Sequence, residues 1–184
     1  PLTQWPNAGL VRGPKRNVAW RVLDAKYFGV PQQRKRLYVI AGGKDFHPEK
    51  ILFEMHERKL GSFLKVPLMF KKEGKQFEVF REYTDCLYSA YGTKWNGNAA
   101  AYNGSLFVSE DGRLRRMTPL ECERLMGFPD DYTNVDFASP TNRYQGVGNS
   151  WAVPVVRWLG ERMFNYDQLP ELNICDRYMA LLPN

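Results

Sequence analysis

Three cysteines and two histidines are few for 184 residues. Cys86, Cys122 and Cys175 lie far apart, and the chain has no Cys-x-x-Cys pair. That spacing argues against a zinc cluster and a disulfide framework, and it fits a reducing cytoplasm. His47 and His56 sit in a polar stretch and read as surface residues rather than ligands or bases. No apolar run approaches the ~20 residues needed to span a bilayer, and no charged-then-apolar leader opens the chain. No membrane partner is expected. There is no Gly-Lys-Ser/Thr loop and no strand-to-helix Gly-x-Gly-x-x-Gly, so the usual phosphate-binding glycine loops are missing. Internal repeats and low-complexity tracts are missing too. The chain opens on Pro1 rather than Met, which sets the expectation that more chain precedes it.

What is present is an ordinary apolar fraction of 43% and a formal charge of +6. This length supports one domain with a core, or two small lobes. The charge is polarised. Residues 1–45 carry nine basic and two acidic side chains, and residues 50–81 carry eight and four. The remainder is acidic. A basic end suits a polyanion, most commonly nucleic acid, although a solvated basic face has the same composition.

Residues 1–16, with Pro1, Pro6, Gly9, Gly13 and Pro14, read as loop. Val18–Leu23 and Leu37–Ala41 read as strands, joined through the Gly29/Pro31 turn into an antiparallel pair at the edge of a larger sheet. Two strands alone are marginal in water, which points to further partners. Residues 44–80 read as a basic connector. From Tyr83 the chain alternates aromatic residues with Asn, Gly and Lys. Asn96-Gly97, Asn103-Gly104 and Asp111-Gly112 are hairpin-turn dipeptides flanking short strands such as Ser105–Val108. A small, irregular β lobe follows from that pattern. Thr118-Pro119-Leu120-Glu121 predicts a helix start with a capping box, and Gly127 its stop. A last helix is predicted after Asn149-Ser150, with Ala152, Val155, Val156, Leu159 and Met163 as its apolar stripe.

Two segments offer chemistry. In the first, Gly29-Val30-Pro31 leads into Gln32, Arg34 and Arg36 at alternate positions before an apolar strand. In extended backbone these three side chains share a face. On spacing alone the segment reads equally as a donor cluster for a planar carbonyl-bearing ligand or phosphate, or as a basic flank pairing with surface carboxylates. In the second, Gly146-Val147-Gly148-Asn149-Ser150 precedes the last helix. Bare glycines allow close backbone approach to a ligand, and a helix N-terminus attracts anions. The motif alone favours an ordinary glycine-rich loop ending in an N-cap.

Taken in order, Gln32-x-Arg34-x-Arg36, the segment Arg116–Pro129 (Arg-Met-Thr-Pro-Leu-Glu-Cys-Glu-Arg-Leu-Met-Gly-Phe-Pro) and Gly148-Asn149-Ser150 resemble the last three motifs of DNA cytosine-5 methyltransferases. The variable region between the first two matches that family's target-recognition region in place and size. Residues 19–32 look especially like bacterial and phage members. The resemblance covers roughly residues 5–165, and it is the combination that makes it specific.

The resemblance implies roles. Arg36, with Arg34, would meet a flipped cytosine, donating to its carbonyl and holding the charge that develops when the ring is attacked, with Gln32 supporting that wall. Gly148, Asn149 and Ser150 would lie at the methionine end of S-adenosylmethionine. The Thr118–Pro129 segment would organise the recognition lobe, with Arg116 and Arg124 bracing it by ion pairs. Residues 83–108 would read duplex DNA in the major groove, with Lys94, Trp95, Asn96 and Asn98 as base or phosphate contacts. In this family a cysteine thiolate adds to carbon 6 of a base taken out of the stack, and carbon 5 then attacks the activated methyl group.

The departures are as informative. The family's nucleophile follows proline, whereas Cys86 follows Asp85, Cys122 follows Glu121 and Cys175 follows Ile174. The Phe-x-Gly-x-Gly loop and the Glu-Asn-Val segment are also missing. These belong to an N-terminal half, which becomes an expected partner, as the same polypeptide or a separate subunit.

The expected fold is therefore α/β: the C-terminal part of a Rossmann-like S-adenosylmethionine-dependent domain, with antiparallel edge strands, a final helix and a small mostly-β recognition domain. The expected division is catalytic strands over 1–45, recognition domain over 46–140, a return over 141–165 and a tail over 166–184. The expected function is the C-terminal part of a cytoplasmic bacterial or phage cytosine-5 methyltransferase, inactive alone. The alternatives are a non-catalytic DNA-binding module derived from such an enzyme and, less favoured, an RNA cytosine-5 methyltransferase of related type.

Overall fold

The computed structural model of the chain describes residues 7–53, 68–72, 75–79, 83–92, 107–110 and 113–172. It forms two compact units. The first takes Pro1–Asp24, Lys35–Lys59 and Val155–Asn184; the second takes Ala25–Arg34 and Leu60–Pro154.

In the first unit β1 (Ala8–Arg12), β2 (Arg16–Asp24) and β3 (Lys35–Gly43) form an antiparallel sheet in that order. The two expected strands are present and pair, with Ala19 opposite Ile40 and Leu23 opposite Arg36. The third strand, β1, corrects the reading of residues 1–16 as loop. The glycine that suggested a loop is a packing device. A Cβ on Gly9 would lie 1.9 Å from the Trp20 ring, so the bare position lets Trp20 lie across β1. The turn into β2 falls instead at Gly13, whose N–H donates to the Arg16 carbonyl at 3.0 Å.

Strand alternation sends Ala8, Asn17, Ala19 and Leu23 to one face, and all four are buried. The Asn17 amide donates to the carbonyls of Lys44 (2.8 Å) and Phe46 (2.9 Å). Phe46 folds over Gly42, where a Cβ would meet its ring at 2.0 Å. The short helix α1 (Glu49–Leu52) packs against β2, and Arg21 donates to the Leu52 carbonyl at 2.9 Å. Helix α1 lies inside the stretch read as connector.

The predicted last helix is present over Val153–Phe164. Of its expected stripe, Ala152, Val155 and Leu159 are buried, while Met163 is 45% exposed. Trp158, outside the stripe, is buried. Arg162 donates to the carbonyls of Ile51 (2.7 Å) and Phe53 (2.8 Å), closing the end of α1. His47, read as a surface residue, is half-buried, with Nδ1 3.1 Å from the buried Glu49 carboxylate, which also accepts from Arg12 at 2.8 Å.

Among its described residues the second unit holds two hairpins, β4–β5 (Leu68–Lys72 with Lys75–Val79) and β6–β7 (Phe107–Glu110 with Arg113–Arg116); the expected turn dipeptide Asp111-Gly112 lies outside the described residues. The β4–β5 hairpin is a second element inside the expected connector. Helices α2 (Pro119–Met126) and α3 (Pro140–Asn149) pack together. Leu87, Tyr91, Met117, Cys122, Leu125, Met126 and Val147 form the core. Burial pushes the Cys122 thiol up to about 12, so it stays a protonated, inert core group.

Helix α2 starts and stops as predicted. Thr118 accepts from the Glu121 N–H, Glu121 accepts from the Thr118 N–H, and Gly127 ends the helix at φ 78°. Arg124 pairs with Asp130 as expected. At the other site Arg115 makes the ion pair, to Glu121 at 2.8 Å, while Arg116 lies over the Tyr91 and Tyr144 rings. Hydrogen bonds from Arg115, and then from Thr118, overcome burial and bring the Glu121 carboxyl down to about 2. A depressed carboxylate contributes stability above its unfolded value, and that contribution is lost as pH falls through the folded one. The expected result is that Glu121→Gln flattens the loss of stability between pH 4.5 and about 2. A pH series of urea midpoints checks it, and an unchanged acid limb contradicts it. Glu123 adds to the same limb: burial works against its charge, but hydrogen bonds from Thr133 and Arg143 hold its carboxyl below the usual range.

Candidate functional site: a junction of three motif segments

The Gln32–Arg34 stretch belongs to the second unit, and its approach is set by the turn before it. Gly29 sits at φ 90°, a conformation that favours glycine. The chain then forms an isolated parallel bridge between Gln32 and Thr84, with Gln33 N–H on the Thr84 carbonyl and Thr84 N–H on the Pro31 carbonyl, each at 2.9 Å.

Gln32 is fully buried. Its Nε2 donates to the Leu125 carbonyl at 3.2 Å and the Met126 sulfur at 3.0 Å, at the end of α2. Its Oε1 accepts from the Leu87 N–H at 2.9 Å. Arg34, 4% exposed, spreads its guanidinium over two segments. Nη1 donates to the Leu87 carbonyl at 2.8 Å and the Cys86 sulfur at 3.1 Å. Nη2 donates to the carbonyls of Ser150 at 2.8 Å and Gly148 at 3.1 Å. The fork geometry of arginine suits such multiple acceptance, which a lysine cannot reproduce. Two side chains of the first motif thus tie together the ends of the other two.

The segment Gly146–Ser150, read as a loop, is the last turn of α3 and its cap. Pro140 at the first turn and the Ser139 cap start that helix, and it runs through both glycines. Ser150 closes it, with Oγ donating to the Val147 carbonyl at 2.6 Å. Gly148 does permit a close approach, but to protein: a Cβ there would lie 2.6 Å from the Ser89 nitrogen and the Tyr88 carbonyl carbon. Gly148→Ala is expected to cost about 1–3 kcal/mol, since backbone cannot yield as a side-chain tip does. Chemical denaturation checks it, and a change within ~0.5 kcal/mol contradicts it.

Arg36 falls outside this junction, as the second residue of β3 in the first unit, exposed, with Nη1 donating to the Lys35 carbonyl at 2.8 Å. The shared face expected of Gln32, Arg34 and Arg36 is therefore divided into two buried groups and one exposed. Asn149 is exposed and Ser150 half-buried. Lys94, Trp95, Asn96 and Asn98 lie outside the described residues. Sequence reasoning missed Leu87, whose main-chain N–H and C=O serve both Gln32 and Arg34. Backbone groups leave no signature in residue type. No group of three or more potential metal-ligating side chains is present among the described residues, and no helix among them is long and apolar enough to cross a membrane.

The fold is that of methyltransferases. The Entamoeba histolytica methyltransferase EhMeth superposes with a TM-score of 0.53 at 21% identity, covering 85% of this chain and 55% of that one. The S. pombe Dnmt2 methyltransferase gives 0.55 at 19% identity, covering 84% and 57%. Within that class, the C-5 cytosine-specific DNA methylase family model matches residues 16–105 and 71–165, and the chain belongs to that family. Curated relatives include the Type II methyltransferases M.MspI of Moraxella sp (30% identity, 77% of this chain, 37% of its own length) and M.SsoII of Shigella sonnei (27%, 80%, 44%). A protein of Escherichia phage P1 named DNA N-6-adenine-methyltransferase is also similar (26%, 87%, 38%). The chain spans 37–44% of the length of these relatives.

Proposed function

We propose that the chain is the C-terminal, target-recognising part of a DNA cytosine-5 methyltransferase, and that it acts only with the portion carrying the Pro-Cys nucleophile. The observation that supports this best is the junction itself. Gln32 and Arg34 are spent on holding the other two motif segments, while Arg36 of the first motif and Asn149 of the third are exposed.

In this reading S-adenosylmethionine supplies the electrophilic methyl group. The Asn149 carboxamide offers both a donor and an acceptor, which fits the carboxylate and ammonium of a methionine end. The Ser150 hydroxyl, whose proton serves Val147, retains lone pairs to accept. Gly148 stands beside them at the methionine end, and its bareness serves the contact with Tyr88 and Ser89. Arg36 donates to the carbonyl of the extruded cytosine and stabilises the negative charge that grows there as the ring is attacked. Arg34 positions, and Gln32 braces, the backbone on which Asn149 and Ser150 stand. The 46–140 region reads duplex DNA, with Lys94, Trp95, Asn96 and Asn98 as its contacts, and the basic residues of 1–45 steer the polyanion.

The test is complementation. The purified chain with duplex DNA and labelled S-adenosylmethionine is expected to incorporate nothing. Adding the polypeptide encoded immediately upstream of Pro1 is expected to restore incorporation. Methyl transfer by the chain alone contradicts the division of labour, and an upstream sequence without a Pro-Cys motif favours the non-catalytic module.

A further inference from the structure

Helix α3 ends in Asn149, and Ser150 and Trp151 lead out of it. Ser150 is extended, at φ −75° and ψ 174°. Side chains on either side of an extended residue point the same way. Asn149 and Trp151 therefore share a side, and both are exposed, Trp151 by 63%. Ser150 between them turns inward, with Oγ on the Val147 carbonyl. The backbone under the pair is pinned from below, where Arg34 donates to the carbonyls of Gly148 and Ser150. Those carbonyls are already engaged, so what this end of the helix offers a further cation is the indole face. Tryptophan is highly buried on average, and its ring has the best side-chain π face for a cation. The chain turns back inside at the next residue, Ala152, which is 1% exposed. The indole is thus held out beside Asn149 by a short, anchored stretch.

We infer that Trp151 is a cofactor-contact residue, its indole face taking the sulfonium of S-adenosylmethionine while Asn149 holds the methionine end. This rests on the function proposed above. In the ligand the sulfonium is separated by a short methylene chain from the carbon that bears the carboxylate and ammonium. Residues two apart in extended chain are roughly 7 Å apart, so one ligand can meet both side chains. The consequence is a preference between donor and product. The donor carries a positive sulfur, whereas the thioether left after transfer is neutral. A π face attracts the first through its quadrupole and gains nothing of that kind from the second.

The experiment measures, by calorimetry, the affinity of the chain combined with the polypeptide encoded immediately upstream of Pro1 for S-adenosylmethionine and for S-adenosylhomocysteine. Trp151→Leu keeps an apolar side chain and removes the π face. It is expected to weaken S-adenosylmethionine about tenfold and S-adenosylhomocysteine by less than about twofold. Trp151→Phe, the smaller change in shape, is expected to show the same selectivity with a smaller loss. Asn149→Ala is expected to weaken both ligands alike, because both carry the same methionine end. Equal losses for the two ligands in the Trp151 variants reduce the indole to an apolar contact, and unchanged affinities remove it from the site. Either result overturns the inference and leaves the proposed function intact. Failure of the wild-type pair to bind either ligand overturns both. A donor preference set by Trp151 without methyl transfer to DNA supports the inference and contradicts the proposed function.

Discussion

Replacing Arg34 by alanine is expected to cost the second unit about 3 kcal/mol or more, while replacing Arg36 changes stability by within ~0.5 kcal/mol. The contrast follows from where two arginines two residues apart spend their donors. Arg34 is buried and gives four hydrogen bonds, three of them to main-chain carbonyls of Leu87, Gly148 and Ser150. Truncation strands those carbonyls away from water, and each unsatisfied group carries a penalty of about 1–3 kcal/mol. Arg36 is exposed at the start of β3, and the hydrogen bond its Nη1 gives the Lys35 carbonyl is exposed as well. Arg34→Lys should recover only part of the loss, because an ammonium cannot span two segments as the guanidinium does. Urea unfolding of the three variants decides the matter. Equal small effects at both positions would remove the junction as an organising element.

The second large effect runs the other way. In the complemented enzyme Arg36→Ala is expected to lower single-turnover methyl transfer by about 100-fold or more, the scale found for removing one preorganised donor from a developing oxyanion. DNA affinity, which is spread over many phosphate contacts, is expected to change by less than about tenfold. Filter binding and rapid-quench kinetics on the same preparation separate the two. An unchanged rate, or a rate loss matched by an equal loss of affinity, would remove Arg36 from the chemistry.

The pattern of residues carried some of this architecture and not the rest, for physical reasons. Helix α2 was legible because its ends are written in side chains: Thr118, Pro119 and Glu121 at one end, Gly127 at the other. Strands β2 and β3 were legible from their β-branched and aromatic runs. Strand β1 was hidden because Gly9 and Gly13 look alike in a sequence, though one lies under Trp20 and the other makes a turn. The end of α3 was hidden for a related reason: Gly146 and Gly148 lower helix propensity, and the contact with Tyr88 and Ser89 that requires a bare position is tertiary. The alternation of Gln32, Arg34 and Arg36 singled out this segment but suggested a shared face. Whether an arginine spends its donors on carbonyls or offers them to a ligand depends on partners distant in the chain, here Leu87, Gly148 and Ser150. The order of the three motifs carried the family.

Nucleoside analysis of DNA methylated by the chain together with its upstream polypeptide is the most direct measurement. The expected product is 5-methylcytosine, formed only when both polypeptides are present and lost with Arg36→Ala. N6-methyladenine, the product named for the similar protein of Escherichia phage P1, would contradict a pocket built for cytosine, as would 5-methylcytosine formed by this chain alone.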